Sequence, residues 1–239
     1  MKSKLLDLEH PDIIALKNDI LEFSQDESQI IGACYRYVRD EINFGYNSSD
    51  DITASEVLRD GYGQCNTKAT LLMSLLTACG IENRLHGFTI DKKLQYGAIT
   101  GIFYWIAPRE ILHSWVEVNY QGKWFNLEGF ILDSDYLKAI QKIAGKNVRS
   151  FCGYGVACKD LQNPEVEWKG GNSTYIQKEG IVRDLGIYET PDEFYEKYGT
   201  NPKGIKKFFY KYFIRFLMNK NVNQIRSEQK NVLLNSCKL

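Results

Sequence analysis

The segment from Cys65 to Cys79 constrains this chain more than any other. Its apolar positions (69, 71, 72, 73, 75, 76 and 78) nearly encircle a helix. A helix without a broad polar face must be covered on all sides, so it belongs at the centre of a fold. The chain enters it through Gly61-Tyr62-Gly63-Gln64 and leaves it at Gly80, a good C-terminal stop. Cys65 therefore stands in the first helical turn. There, unpaired N–H groups and the positive end of the helix dipole in general favour a thiolate over a thiol.

The elements around this helix follow from periodicity. Upstream, apolar residues at 13, 16, 17, 20 and 21 form a helical stripe after Pro11, and Ile30, Ile31, Cys34, Tyr35 and Val38 form a second. Thr53-Ala54-Ser55-Glu56 reads as a capping box opening a short helix that closes near Gly61. Downstream, strands are expected over 83–90, 112–120 and 124–130, then a helix over 135–144. Residues 150–189 read only as short strands and loops. Thr190-Pro191-Asp192-Glu193 opens another helix that ends at Gly199, and Asn201-Pro202 opens a last one reaching about Met218. Helices, then strands, then helices predict an α+β fold rather than a parallel α/β sheet. The expected organisation is a core over 1–149 and an extension of short strands and helices over 150–239.

A hairpin closed by Gln121-Gly122 pairs Tyr120 with Lys123. Counting back, His113, Trp115 and Glu117 share a face with Asn126, Glu128 and Phe130, and His113 and Glu128 become diagonal neighbours. A slip of one residue would separate them. Cysteine, histidine and carboxylate in this arrangement fit nucleophilic acyl transfer: His113 takes the Cys65 proton and Glu128 orients the imidazole. Gln64, Tyr62 and Asn126 are candidates for shaping the site or stabilising an oxyanion. Asp133 and Asp135 are fallback carboxylates; His86 and His10 are weaker candidates for the base.

Composition narrows the setting. With 44% hydrophobic and 25% charged residues, the 239-residue chain reads as an ordinary globular protein. It carries no apolar run long enough for a membrane span or a secretory signal, so the cytoplasm is the expected location. The six cysteines lack a metal-ligand rhythm, and neither metal nor cofactor is expected. Positive and negative charges balance overall, yet residues 203–239 hold nine Lys/Arg against one acid, Glu228. Docking of this tail on the acidic remainder is the first expectation, with contact to an anionic membrane as an alternative; nucleic acid is not an expected partner. The apolar face of the last helix (Ile205, Phe208, Phe209, Tyr212, Phe213, Phe216, Leu217) is expected to pack on the core.

Tyr62-Gly63-Gln64-Cys65, Gly80-Ile81-Glu82-Asn83-Arg84, His113-Ser114-Trp115-Val116-Glu117-Val118 and Trp124-Phe125-Asn126-Leu127-Glu128 together resemble the transglutaminase-like superfamily of cysteine enzymes, over about residues 30–132. The resemblance, closest to bacterial transglutaminase-like proteins, implies a papain-like fold in which the cysteine helix packs against an antiparallel sheet carrying histidine and acid. Glu128 stands where the family has aspartate, Asn66 follows the cysteine where animal transglutaminases have tryptophan, and their calcium sites have no match. The resemblance implies a cysteine hydrolase cleaving an amide or peptide bond. Transamidation to an amine acceptor, or a non-catalytic binding module on the same fold, are the alternatives.

Overall fold

The computed structural model describes residues 3–99, 101, 104, 105, 107–201 and 205–227; at 205 and 206 only the backbone is described. Lys203, Glu228, Lys230, Cys237 and Lys238 lie outside the described residues. So do residues 100, 102, 103 and 106.

Two helices, α1 (Pro11–Glu22) and α2 (Glu27–Arg36), the latter continued by a π-helical turn (Tyr37–Glu41), precede a two-residue strand β1 (Asn43–Phe44). The short α3 (Ala54–Asp60) opens on the predicted capping box, with Thr53 and Glu56 each accepting from the other's backbone. Gly61 closes it at a left-handed φ of 69°, where glycine carries no Cβ penalty. The chain then forms β2 (Tyr62–Gly63), paired parallel to β1, and enters α4 (Cys65–Ala78). A Cβ on Gly63 would lie 2.8 Å from Thr67 Oγ1 and 2.9 Å from Lys68 Cγ, so a bare backbone is needed for so abrupt an entry. As its sequence demands, α4 is buried at every residue from Cys65 to Leu76.

That burial includes Lys68, whose ammonium donates to the carbonyls of Arg39 (3.2 Å), Ile42 (2.8 Å) and Ile131 (3.1 Å). One side chain thus ties α4 to the π-helical turn and to the chain at Ile131. Lys68→Met should keep the volume and strand three buried carbonyls, costing about 2–4 kcal/mol in urea unfolding. A loss below about 0.5 kcal/mol would rule out this tether.

The main sheet contains β3 (Asn83–Asp91), β4 (Glu110–Tyr120), β5 (Lys123–Leu127) and β8 (Ile181–Tyr188), ordered β5-β4-β3-β8 with every pair antiparallel. The hairpin register is the predicted one, Tyr120 opposite Lys123 and Val116 opposite Leu127. Gln121 (φ 52°) and Gly122 (φ 75°) make the turn with two positive φ values, which matches the strand twist. The expected strand over 124–130 stops at Leu127, because the Glu128 N–H leaves the ladder for the Thr174 carbonyl (3.1 Å). Between β5 and β8 lie α5 (Ser134–Ala144) and a small hairpin of β6 (Phe151–Gly153) and β7 (Val156–Cys158). Strand β8 had no clear periodic signal, and its register against β3 shifts twice.

After β8 come α6 (Pro191–Tyr198), capped by Thr190, then α7 (Ile205–Phe209), a π-helical turn (Tyr210–Ile214) and α8 (Arg215–Arg226). Asn219 exchanges hydrogen bonds with the Tyr46 backbone (2.7 and 3.0 Å), and Arg226 pairs with Asp133 at 2.7 Å. These contacts, with buried Met218, Val222 and Ile225, seat α8 on the body. The apolar face expected to pack does not: Phe208, Phe209, Tyr212, Phe213, Phe216 and Leu217 are all more than half exposed. The narrower stripe 210, 214, 218, 222, 225 packs instead. No described helix is long and apolar enough to cross a membrane.

Candidate active site

The first turn of α4 and the middle of β4 meet through Asn66. Its side-chain amide donates to the Leu112 carbonyl (3.1 Å) and its oxygen accepts from the Ser114 hydroxyl (2.9 Å). These two anchors straddle His113, so the residue after Cys65 fixes helix and strand relative to each other. Sequence reasoning treated Asn66 only as a departure from the family pattern. Its place in the first turn of α4 is a usable signal, because a polar side chain inside an apolar helix must find partners.

His113 and Glu128 are both fully buried, and Cys65 is 8% exposed. His113 Nε2 lies 3.1 Å from Glu128 Oε1. His113 Nδ1 is buried without a hydrogen-bond partner among the described residues, and Cys65 is close enough to act on the charge of the ring. Burial by itself would lower the imidazole pKa, but Cys65 and Glu128 outweigh it and raise the value to about 9. Glu128 has a second set of partners, its Oε2 accepting from the backbone N–H groups of Ile176 (2.9 Å), Gln177 (3.0 Å) and Lys178 (3.1 Å). Thr174 Oγ1 accepts from the Glu128 and Gly129 N–H groups at 3.2 and 3.1 Å. The carboxylate is therefore clamped by residues 174–178, a strap invisible to any reading of the hairpin alone.

The other predicted residues divide. Gln64 lies at the site but is spent on structure: Nε2 donates to Asp50 (2.9 Å) and Oε1 accepts from the Asn47 N–H (3.2 Å). The Tyr62 hydroxyl pairs with Arg215 at 3.2 Å, and Asn126 bridges the Trp115 indole (3.0 Å) and the Tyr175 hydroxyl (2.9 Å). Neither lines the cavity at Cys65. Asp133 is held by Arg226 and caps α5, while Asp135 pairs with Lys138 at 3.6 Å. His86 joins Glu117 (2.7 Å) and Asp184 (3.0 Å) on the sheet, and His10 caps α1. Among the described residues, no group of three His, Cys, Asp or Glu could hold a metal ion.

Cys65 opens on a cavity of about 510 Å³. Asp50, Gln64, Asn66, Gln177 and Asn201 stand among its polar walls, while Ile90, Ile99, Ile111, Phe213, Ile214 and Met218 are apolar. Gln177 is 3% exposed; its Nε2 donates to the Gly155 carbonyl at 2.6 Å, which fixes the amide orientation. Its buried Oε1 then has no hydrogen-bond partner among the described residues.

Residues 14–129 match the family described as the Transglutaminase-like superfamily. No curated protein matches the chain. Among solved structures, a candidate cysteine protease from Cytophaga hutchinsonii is similar at 11% identity and a TM-score of 0.42, covering 81% of this chain and 50% of that one. A candidate protease from Parabacteroides distasonis is similar at 17% identity and a TM-score of 0.35, covering 51% and 24%. The transglutaminase of red sea bream is similar at 14% identity and a TM-score of 0.38, covering 93% and 42%. The chain thus spans half or less of the length of each of these structures.

Proposed function

Because residues 14–129 belong to the transglutaminase-like superfamily, we propose that this protein is a cysteine hydrolase that cleaves an amide bond next to a bulky apolar group. The observation that carries the reading is the buried His113, bonded to Glu128 through Nε2 and raised in pKa by Cys65 and Glu128 against its burial. In this mechanism His113 Nδ1 holds the Cys65 proton and the sulfur attacks the substrate carbonyl carbon. The C–N bond breaks as His113 returns the proton to the leaving nitrogen, and water then hydrolyses the thioester. Developing negative charge on the carbonyl oxygen faces the start of α4, where the Cys65 N–H is one donor.

Two features of the cavity favour the amide and the apolar neighbour. The buried Gln177 Oε1 is an acceptor awaiting a donor, which an amide N–H supplies and an ester cannot. The apolar wall of Ile90, Ile111, Phe213 and Met218 matches an aliphatic or aromatic substituent.

The test is mass-spectrometric product analysis on peptide amides with apolar or charged side chains beside the scissile bond, with and without a primary amine. Cleavage of apolar members, abolished in Cys65→Ala, is expected. Amide-linked adducts in place of free acid would assign the enzyme to transamidation. No cysteine-dependent turnover with any member would return the fold to a binding role.

A further inference from the structure

The segment made of α7, the π-helical turn and α8 carries two apolar stripes. The inner one packs against the body. The outer one presents Phe208, Phe209, Tyr212, Phe213, Phe216 and Leu217, each between 51% and 59% exposed. Isolated apolar residues on a surface need no explanation, but six large ones within ten positions form a contiguous patch that water solvates poorly.

Charge decides what can cover it. Residues 205–227 contain no acid. Lys207 is matched by Asp51 (3.6 Å) and Arg226 by Asp133. Lys211, Arg215 and Lys220 have no acidic partner among the described residues; Lys211 and Arg215 lie over the rings of Tyr212 and Phe216 instead. A second copy meeting this face through a two-fold axis would set these cations against their own equivalents. Nucleic acid binding rests on phosphate contacts, and three cations without acidic partners beside six apolar side chains are a poor match for it. Aromatic and aliphatic side chains bordered by Lys and Arg are the composition of a helix that lies in a lipid interface.

We propose that this face docks on an anionic lipid bilayer, with the aromatic side chains at the acyl boundary and Lys211, Arg215 and Lys220 against the headgroups. Phe209 and Phe213 belong both to the exposed face and to the wall of the Cys65 cavity. Docking therefore brings the cavity to the lipid surface. This assignment is independent of the chemistry proposed for Cys65.

The experiment is flotation of the full chain with vesicles of phosphatidylcholine alone or of equimolar phosphatidylcholine and phosphatidylglycerol. Binding only to the anionic vesicles, weakened by added salt, is expected. The triple variant F208S/Y212S/F216S should lose about tenfold or more in partitioning. The double reversal K211E/K220E, read separately in case the triple variant fails to fold, should lose a similar factor. All five side chains are exposed and none lines the cavity, so melting temperatures should match the parent. Three results would overturn the assignment: no binding to anionic vesicles, binding that both variants retain, or a dimer in light scattering that the triple variant abolishes. Retention on poly(U) RNA without vesicle binding would equally sink it.

Discussion

Replacing His113 with alanine should slow alkylation of Cys65 in mildly acidic buffer by about tenfold or more, while the other buried cysteines keep their rates. His113 is poised as an imidazolium up to about pH 9, because Cys65 and Glu128 outweigh the burial that would discharge it. Below that value it supplies a full positive charge beside the sulfur, in a site where water screens little. The same ring sets the alkaline limb of activity, since turnover should fall as pH passes through about 9 and His113 loses its proton. Glu128 is one of the groups that raise the ring, so Glu128→Ala should move that limb to lower pH. The stability linkage has the same sign. The contribution of protonated His113 is complete below its ordinary value of 6.5 and is lost as pH rises through about 9. Peptide mass spectrometry of alkylated protein across pH reads the first effect and thermal melts read the last. Alkylation of Cys65 indifferent to His113 would leave the hydrolase reading without its physical basis.

What the sequence revealed about this site depended on the range of the interactions. The α4 burial, the Thr53–Glu56 box and the 120/123 hairpin register are local or nearly so, and each is present in the structure. His113 and Glu128 meet because side-chain alternation propagates from a two-residue turn, a rule that holds as far as the ladder does. The ladder ends at Leu127, and from there the geometry of Glu128 is set by Thr174 and the N–H groups of 176–178. No periodicity links positions separated by about fifty residues, so that clamp was illegible. The same holds for Lys68, whose carbonyl partners at 39, 42 and 131 carry no side-chain signature. The last helix misled for a different reason. Its broad aromatic stripe outweighs the inner stripe in any hydrophobic count, but the inner one holds the anchors, Asn219 and Arg226.

The clamp on its carboxylate makes Glu128→Gln the most informative single substitution. Oε2 must accept from three backbone N–H groups, so the glutamine oxygen is obliged to take that place. Its amide NH₂ then faces His113 Nε2 and donates to it. That forces the neutral ring into the tautomer with its proton on Nδ1, facing Cys65, where it can no longer accept the thiol proton. Activity should fall by about 10³–10⁴-fold, as expected for a triad held in the wrong tautomer, while the fold survives because every clamp donor keeps an acceptor. Glu128→Ala should instead leave the three N–H groups and the ring unpaired in a fully buried site, and cost about 3–5 kcal/mol in urea unfolding. The contrast separates orientation of the imidazole from support of the fold. Near-parental turnover in the glutamine variant would show that His113 does not need Glu128 to present Nδ1 to the sulfur. A glutamine variant as unstable as the alanine one would show that the strap reads the charge of Glu128 rather than its shape.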